Sequence, residues 1–260
     1  MSKYLIEGDS NKKSEPVIVP TAPALALTTP KDKAEIKQNP VQYYVKASFM
    51  ITYILLLTTG TITFIEALRT PVPELRHIFN LETCISAVAG YFYSTFTSQI
   101  EEFGKKDLPI DWADITKTRY IDWAITTPLM LLVLSVVLGM CIGKKVQFKT
   151  MAAVILLNYF MLYTGYLGEA RAIGRELAFI VAFIPFFAMF YLIYISYVAP
   201  KYCFQNYVLF SVFITLWGFY GIAYMFEESY KNIAMNVLDC LAKCFIGLGL
   251  WVYYSQIIVA

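Results

Sequence analysis

Residues 119–143 read RYIDWAITTPLMLLVLSVVLGMCIG, in which a charged, hydroxyl-rich segment opens a long apolar run. The run reaches the roughly 20 residues that a helix needs to cross a bilayer. A charged side chain inside such a helix is costly, and it commonly marks an ion pathway or the counter-ion of a ligand. Arg119 and Asp122 therefore point to a function that depends on charge inside a membrane.

The composition of the whole chain also indicates a membrane protein. Of its 260 residues, 58% are hydrophobic and 15% are charged, whereas soluble domains carry about 25% charged residues. The net charge of +2 gives no electrostatic reason to expect a nucleic-acid partner. The five cysteines contain no C-x-x-C pair, so their spacing gives little support to a metal site or a disulfide and predicts small, buried thiols.

The chain divides into a polar N-terminal tail and an apolar remainder. Residues 1–40 are rich in Lys, Pro, Thr and Ser, which predicts a mostly disordered tail. Runs near the length of a membrane span occur at approximately 42–67, 80–99, 116–142, 149–168, 174–198, 203–226 and 233–258. Because backbone groups in lipid must be satisfied within their own segment, residues 41–260 are predicted to form an all-α bundle of seven transmembrane helices.

Several of the predicted helices carry charges at membrane depth. Asp239 and Lys243 are four residues apart and share a helix face, as do Arg119 and Asp122, which are three apart. Glu82 lies within the second apolar run. The first pair could simply neutralise itself, but a buried ion pair is a poor source of stability. Two acids, an arginine and a lysine in one bundle favour the movement of a proton or an ion.

A lysine at membrane depth offers one further chemistry. Its amine can condense with an aldehyde to form a Schiff base. In a dry cavity the protonated form of that Schiff base needs a nearby anion, and Asp122 and Asp239 are the candidates.

At these residues the sequence resembles the microbial (type 1) rhodopsins, most of all the giant-virus rhodopsins and the bacteriorhodopsin-type proton pumps. Five features carry the resemblance, in order along the chain: Tyr93, RYxDWxxTTP at 119–128, NxxMxxTGxxG at 158–168, WxxY at 217–220 and DxxxK at 239–243. The stretches NLETC at 80–84 and GYFYS at 90–94 most resemble the giant-virus rhodopsins. The resemblance implies a seven-helix bundle with an internal pocket, in which all-trans retinal is bound covalently to Lys243 as a protonated Schiff base.

The resemblance also implies roles for the charged residues. Asp122 is the primary counterion and proton acceptor, Asp239 is the second counterion, and Arg119 is the cation that changes sides as charge moves. We expect Arg119 to hold both acids ionised. Thr126 is expected to hydrogen-bond Asp122.

Further residues match the retinal pocket of the family, although ordinary packing of a helix bundle would also explain large apolar side chains. They are Trp123, Thr127, Met130, Met161, Gly165, Met189, Trp217 and Tyr220. Tyr93 matches a second-helix tyrosine that meets the seventh-helix aspartate. Met130 matches the site that tunes colour, and an apolar residue there resembles the green-absorbing pattern.

One position departs from the outward pumps. Many of them carry a carboxylate eleven residues after the counterion as cytoplasmic proton donor, and here that residue is Val133. Glu82 lies eleven residues before Tyr93 on the antiparallel second helix and should reach a comparable depth, about 16 Å from the counterion. We therefore predict that Glu82 is the donor. The alternative is a carboxyl that snorkels to the membrane interface.

The favoured function is a light-driven outward proton pump rather than an enzyme. A light-gated cation channel is the alternative, although Ala89 and Gly90 leave its expected row of second-helix carboxylates thin. A sensor is the third reading, and it needs a separate transducer because the chain ends at SQIIVA, just after the last run.

The resemblance further implies a multi-pass integral membrane protein with its N terminus outside and its C terminus in the cytoplasm. Lys and Arg divide equally between the two sets of connections, so the positive-inside rule favours neither orientation. The expected partners are the lipid bilayer, protons or other monovalent cations, and further copies of the chain in a trimer or pentamer. The candidates for that interface are Glu66, Arg69 and Trp251. Anchoring of the helix ends at the membrane surface explains these residues equally well.

Overall fold

The computed structural model describes residues 40–105 and 109–255, so most of the predicted tail lies outside the described residues. Seven helices follow one another in this part of the chain: α1 (Pro40–Arg69), α2 (Pro73–Lys105), α3 (Trp112–Ile142), α4 (Phe148–Glu169), α5 (Arg175–Val198), α6 (Phe204–Tyr224) and α7 (Glu228–Tyr254). All except the more polar α2 have the length and apolar composition of a membrane span. The predicted all-α, seven-helix architecture is confirmed.

The predicted bounds of the second run, approximately 80–99, were too narrow. Helix α2 has 33 residues and begins at Pro73. Proline suits the first position of a helix because its ring already has the helical φ angle and the missing N–H would have no partner there. Glu74 in the first turn adds a favourable charge near the positive end of the helix dipole.

Helix α3 continues through Pro128, which is internal to it. A proline cannot donate to the carbonyl of the residue four positions earlier, here Ala124. The hydroxyl of Tyr159 on α4 donates to that carbonyl at 3.1 Å. The helix therefore loses no hydrogen bond in a region where an unsatisfied backbone group would be costly.

Helices α3 and α7 form the centre of the bundle. In each of them 56% of the most apolar stretch is buried, compared with 22% to 28% in the other four apolar helices. Helix α7 contains a π-helical segment, Cys240–Phe245, around Lys243. Local π-helical turns are frequent at functional sites. Arg119 and Asp122 on α3 and Asp239 and Lys243 on α7 thus lie in protein rather than in lipid.

Two cysteines form a disulfide that the spacing did not predict. Cys141 in the last turn of α3 is bonded to Cys203, the residue before α6, across a sequence separation of 62 residues. Cys240 and Cys244 are free and buried, as predicted, whereas Cys84 is exposed. The prediction failed because only the packing of α3 beside α6 brings the two thiols together.

A cluster of four charges lies at the end of the bundle where α7 begins. Lys231 Nζ lies 2.8 Å from Glu169 and 2.9 Å from Glu228, and Arg175 contacts the same two carboxylates at 3.5 Å and 3.1 Å. Lys231 and Glu169 are 2% and 5% exposed, whereas Arg175 and Glu228 are each 35% exposed. The cluster links the ends of α4, α5 and α7.

We expect Lys231→Met to lower the free energy of unfolding by about 3 kcal/mol, because it leaves the buried Glu169 carboxylate without its nearest cation. Thermal unfolding in detergent, followed by circular dichroism, measures the loss. Arg175→Gln is the matched control and should cost less than about 1 kcal/mol, because Arg175 is partly solvated. Adding Glu169→Gln to Lys231→Met should restore most of the loss. Equal losses for Lys231→Met and Arg175→Gln would contradict this account.

A candidate functional site in the centre of the bundle

Lys243 and both predicted acids meet in the centre of the bundle. Lys243 Nζ donates a hydrogen bond to Asp122 Oδ2 at 2.8 Å and lies 3.5 Å from Asp239 Oδ2. The three side chains are at most 1% exposed. A single amine is therefore shared by one carboxylate from α3 and one from α7, away from solvent.

The two acids differ in their surroundings. Asp239 accepts hydrogen bonds from the hydroxyls of Tyr93 at 2.7 Å and Tyr220 at 2.6 Å. Asp122 Oδ1 is buried and accepts no hydrogen bond from the described residues. Hydrogen bonds to a carboxylate favour its charged form. Asp239 therefore has two hydroxyl donors, whereas one oxygen of Asp122 is left without a hydrogen bond from the described residues.

Arg119 forms a direct ion pair with one of the two acids, Asp239. Its Nη1 lies 3.8 Å from Asp239 Oδ2, and its Nη2 donates to Asn232 at 3.0 Å and Asn236 at 2.8 Å. Among the described residues, no ion pair joins Arg119 to Asp122. The guanidinium is directed instead towards the beginning of α7, because both asparagine oxygens face it from that helix.

Sequence reasoning missed the two asparagines, although a signal was present. Asn232, Asn236, Asp239 and Lys243 are separated by four, three and four residues, the spacing of one helix face. A polar stripe of this kind along an otherwise apolar helix predicts a polar path through the bundle.

Thr126 bonds to Asp122 in a different way from the expected one. Its hydroxyl donates to the backbone carbonyl of Asp122 at 2.9 Å, a common choice for a threonine inside a helix. Thr127 donates likewise to the carbonyl of Trp123 and accepts a hydrogen bond from Asn158 Nδ2 at 2.8 Å. The second of these threonines thus ties α3 to α4 beside the central site.

An apolar cavity extends from Lys243 between α3, α4, α5 and α6. Seven of the predicted pocket residues line it with Lys243: Trp123, Thr127, Met130, Met161, Gly165, Trp217 and Tyr220. Met189 and Tyr93 are not among the lining residues, because Met189 is packed in the core and Tyr93 contacts Asp239. The Trp123 and Tyr220 rings meet edge to face, with 5.4 Å between their centroids.

The sequence analysis missed the whole wall that α5 provides. Phe179, Ala182, Phe183 and Phe186 line the cavity, and their spacing puts them on one face of the helix. Six further residues line the cavity: Tyr120, Leu162, Ala178, Gly221, Tyr224 and Met235. Gly165 is required where the Tyr120 hydroxyl approaches α4, because a Cβ there would lie 2.8 Å from that oxygen.

Glu82 lies inside the bundle rather than at its surface. Its residue is 3% exposed, and its Oε2 would lie 2.9 Å from a Cβ at Gly247. Gly247 is four residues after Lys243, which corresponds to about 6 Å along the helix. The carboxyl therefore lies beside α7, about one turn after Lys243, and is not exposed at the surface of the bundle.

Comparisons with known proteins identify the family to which this chain belongs. The model of the family described as "Bacteriorhodopsin-like protein" matches residues 44–257. Bacteriorhodopsin of Halobacterium salinarum is 25% identical over 225 residues, which cover 78% of this chain and 80% of that protein.

Solved structures share the fold. The viral rhodopsin OLPVRII is 41% identical, covers 82% of this chain and 98% of its own, and superposes with a TM-score of 0.75. The proton-pumping rhodopsin AR2 of the marine alga Acetabularia acetabulum is 20% identical, covers 84% of this chain and 97% of its own, and has a TM-score of 0.64. The protein described here belongs to the bacteriorhodopsin-like family, the microbial rhodopsins.

Proposed function

We propose that this protein is a light-driven outward proton pump that carries all-trans retinal covalently on Lys243. The observation that carries the proposal is the position of the Lys243 amine. It lies 2.8 Å from an acid with a free oxygen and opens onto an apolar cavity lined by aromatic rings.

The residues around the cavity fit a retinal molecule. A primary amine is the nucleophile that an aldehyde requires, and the remaining walls are predominantly aromatic and aliphatic, which suits a polyene. When bound, retinal would supply absorption of visible light and a change of shape at the Lys243 nitrogen. Trp123 and Trp217 would confine the polyene, and Asp122 and Asp239 would balance the positive charge.

Transport follows from the different surroundings of the two acids. Asp122 accepts the proton from Lys243 Nζ, because one of its oxygens is free. Asp239 remains an anion, since two tyrosine hydroxyls and Arg119 stabilise its charge. The polar path continues through Arg119, Asn232 and Asn236 towards the end of the bundle where α7 begins. This proposal assigns that end to the outside of the membrane. The N terminus is then outside and the C terminus in the cytoplasm.

Glu82 is the proposed cytoplasmic proton donor. It is buried on the opposite side of Lys243 from Arg119, and the hydroxyl side chains of Thr59 and Ser86 are buried near it without a hydrogen-bond partner among the described residues. Burial favours the protonated, neutral form of a carboxyl group, which a donor must have at rest.

Glu82→Gln should slow the recovery of the photocycle by about 10²-fold and make recovery slower as the pH rises. The amide cannot release a proton, so the proton must come from solution. Flash-induced absorbance changes measured across pH test this. Glu74→Gln, an exposed position in the first turn of the same helix, is the matched control and should leave recovery unchanged. Unchanged recovery of Glu82→Gln at every pH would exclude the donor role.

A second variant tests the position of the carboxyl without removing it. Gly247→Ala introduces a Cβ that meets Glu82 Oε2 at 2.9 Å and Thr59 Cγ2 at 3.2 Å. It should slow recovery in the same direction as Glu82→Gln but less. Gly249→Ala has open space around its Cβ and should recover at the wild-type rate.

Light-induced pH change in cells or liposomes, with and without an uncoupler, tests the pump itself. Illumination should acidify the outside, and an uncoupler should abolish the change. Currents recorded against voltage separate the alternatives, because a pump current keeps its sign whereas a channel current reverses. A light cycle without ion movement would favour a sensor.

We further propose that the pump is a homo-oligomer, a trimer or pentamer. Within one chain the Trp251 indole donates to Glu66 at 3.2 Å, and Arg69 beside them is exposed. These residues form a polar surface near one membrane face that a neighbouring copy could contact. Native mass spectrometry of the detergent-solubilised protein measures the oligomeric state, and a monomer would contradict the proposal.

A further inference from the structure

The disulfide links two helix ends that take no part in the proton path described above. Cys141 is exposed in the last turn of α3, and Cys203, directly before α6, is 8% exposed. Their Cα atoms are 6.7 Å apart, within the usual range for a disulfide. The covalent bond therefore fixes the beginning of α6 against α3.

A cavity of about 480 Å³ lies directly beside this bond. Its walls include Gln205, Leu209 and Val212 on α6 and Ile246, Leu250 and Tyr254 on α7, and Cys141 is also among the lining residues. Ile246 is three residues after Lys243. The first turns of α6 thus face open space on the side of α7.

Two hydrogen bonds from Asn206 connect the same end of α6 to α3 and α5. Asn206 Nδ2 donates to the carbonyls of Leu138 on α3 at 2.8 Å and Tyr197 on α5 at 3.0 Å. Two neutral hydrogen bonds stabilise a contact only modestly. The disulfide is therefore the strongest restraint on the distance between the start of α6 and α3.

We propose that Cys141 and Cys203 form a redox latch on this cavity. In the oxidised protein the latch holds α6 in place and keeps the cavity narrow. In the reduced protein the start of α6 can move away from α3, water enters the cavity, and the proton uptake that restores Lys243 becomes faster. The inference rests on the proposed function, because the proposed orientation puts the end of α3 and the start of α6 in the cytoplasm. The few disulfides that form in the cytoplasm are usually redox-sensing.

The reducing step requires a dithiol. One thiolate of the dithiol attacks the exposed sulfur of Cys141, which forms a mixed disulfide and releases the Cys203 thiolate. The second thiol of the reductant then displaces Cys141 and becomes oxidised to a disulfide. Two electrons and two protons pass to the cysteine pair.

The full-length protein with retinal, reconstituted in lipid nanodiscs, provides the test. Diamide and dithiothreitol set the two redox states, and mass spectrometry of maleimide-labelled protein verifies them. Photocycle recovery should be about threefold faster after reduction. Cys203→Ser should recover at the faster rate in both reagents. Cys84→Ser, which removes an exposed free thiol on α2, should keep the full difference between them.

Hydrogen exchange of residues 204–212 provides a second measurement that needs neither retinal nor transport. Exchange there should be faster in the reduced wild-type protein than in the oxidised protein. The latch is excluded if diamide forms no Cys141–Cys203 bond, if recovery and exchange are equal in both redox states, or if the difference persists in Cys203→Ser. If the photocycle depends on the redox state but the protein moves no protons, the latch stands and only the proposed pump function is wrong.

Discussion

Lys243→Ala should leave the purified protein colourless after incubation with all-trans retinal. The amine opens onto the cavity and is the proposed attachment point, so alanine would remove both the proposed covalent link and the charge that Asp122 and Asp239 balance. The absorbance spectrum in the visible range measures the result. The loss of colour is expected to be complete, because noncovalent contacts with the cavity cannot replace a missing covalent bond.

A second variant separates the chemistry from stability. Lys243→Ala leaves two buried carboxylates without their shared cation, which is destabilising, so absence of colour could reflect unfolding. Lys243→Arg keeps a positive charge but offers no amine that condenses with an aldehyde, and it should be folded and equally colourless. Lys144→Ala, near the end of α3, should remain coloured. A visible band in Lys243→Arg would contradict covalent attachment at this residue.

Asp122→Asn should retain colour but lower the initial rate of light-induced acidification by about 10²-fold or more. The asparagine cannot accept the proton that Lys243 Nζ releases. Asp239, 3.5 Å from the amine, still provides one negative charge for a bound cation. The measurement is the light-induced pH change in liposomes, corrected for the amount of coloured protein.

The matched variant is Asp122→Glu, which keeps the carboxylate and should pump at a reduced but measurable rate. Asp239→Asn should impair colour more than Asp122→Glu does, because the hydroxyls of Tyr93 and Tyr220 would lose their anionic acceptor. Wild-type acidification by Asp122→Asn would show that another group accepts the proton, and the proposed pathway would then be wrong.

The number and class of the helices could be predicted because burial in lipid imposes a length and an apolar composition on each helix. The central residues could also be predicted where they lie on one helix: Asp239 and Lys243 are four residues apart, so helical geometry alone puts them on one face. The motif around Asp122 supplied the third member of the group.

Helix boundaries and the contacts between helices were less accessible. Pro73 reads equally well as part of a connector or as the first residue of a helix, and only the observed helix decides. The role of Tyr159 in completing α3 at Pro128 depends on how α4 packs, and that information is not local in the sequence. The same is true of the space at Gly247 that receives the Glu82 carboxyl.

By itself, the sequence determined the seven-helix class and the lysine with its two acids, because these depend on composition or on spacing within one helix, and the family resemblance supplied part of the cavity wall. The tertiary structure alone decided which acid Arg119 approaches, which acid keeps a free oxygen, and that Cys141 and Cys203 are bonded. Each of these depends on the distance between side chains of different helices. Rotation and translation of packed helices set such distances, and no spacing along a single helix encodes them.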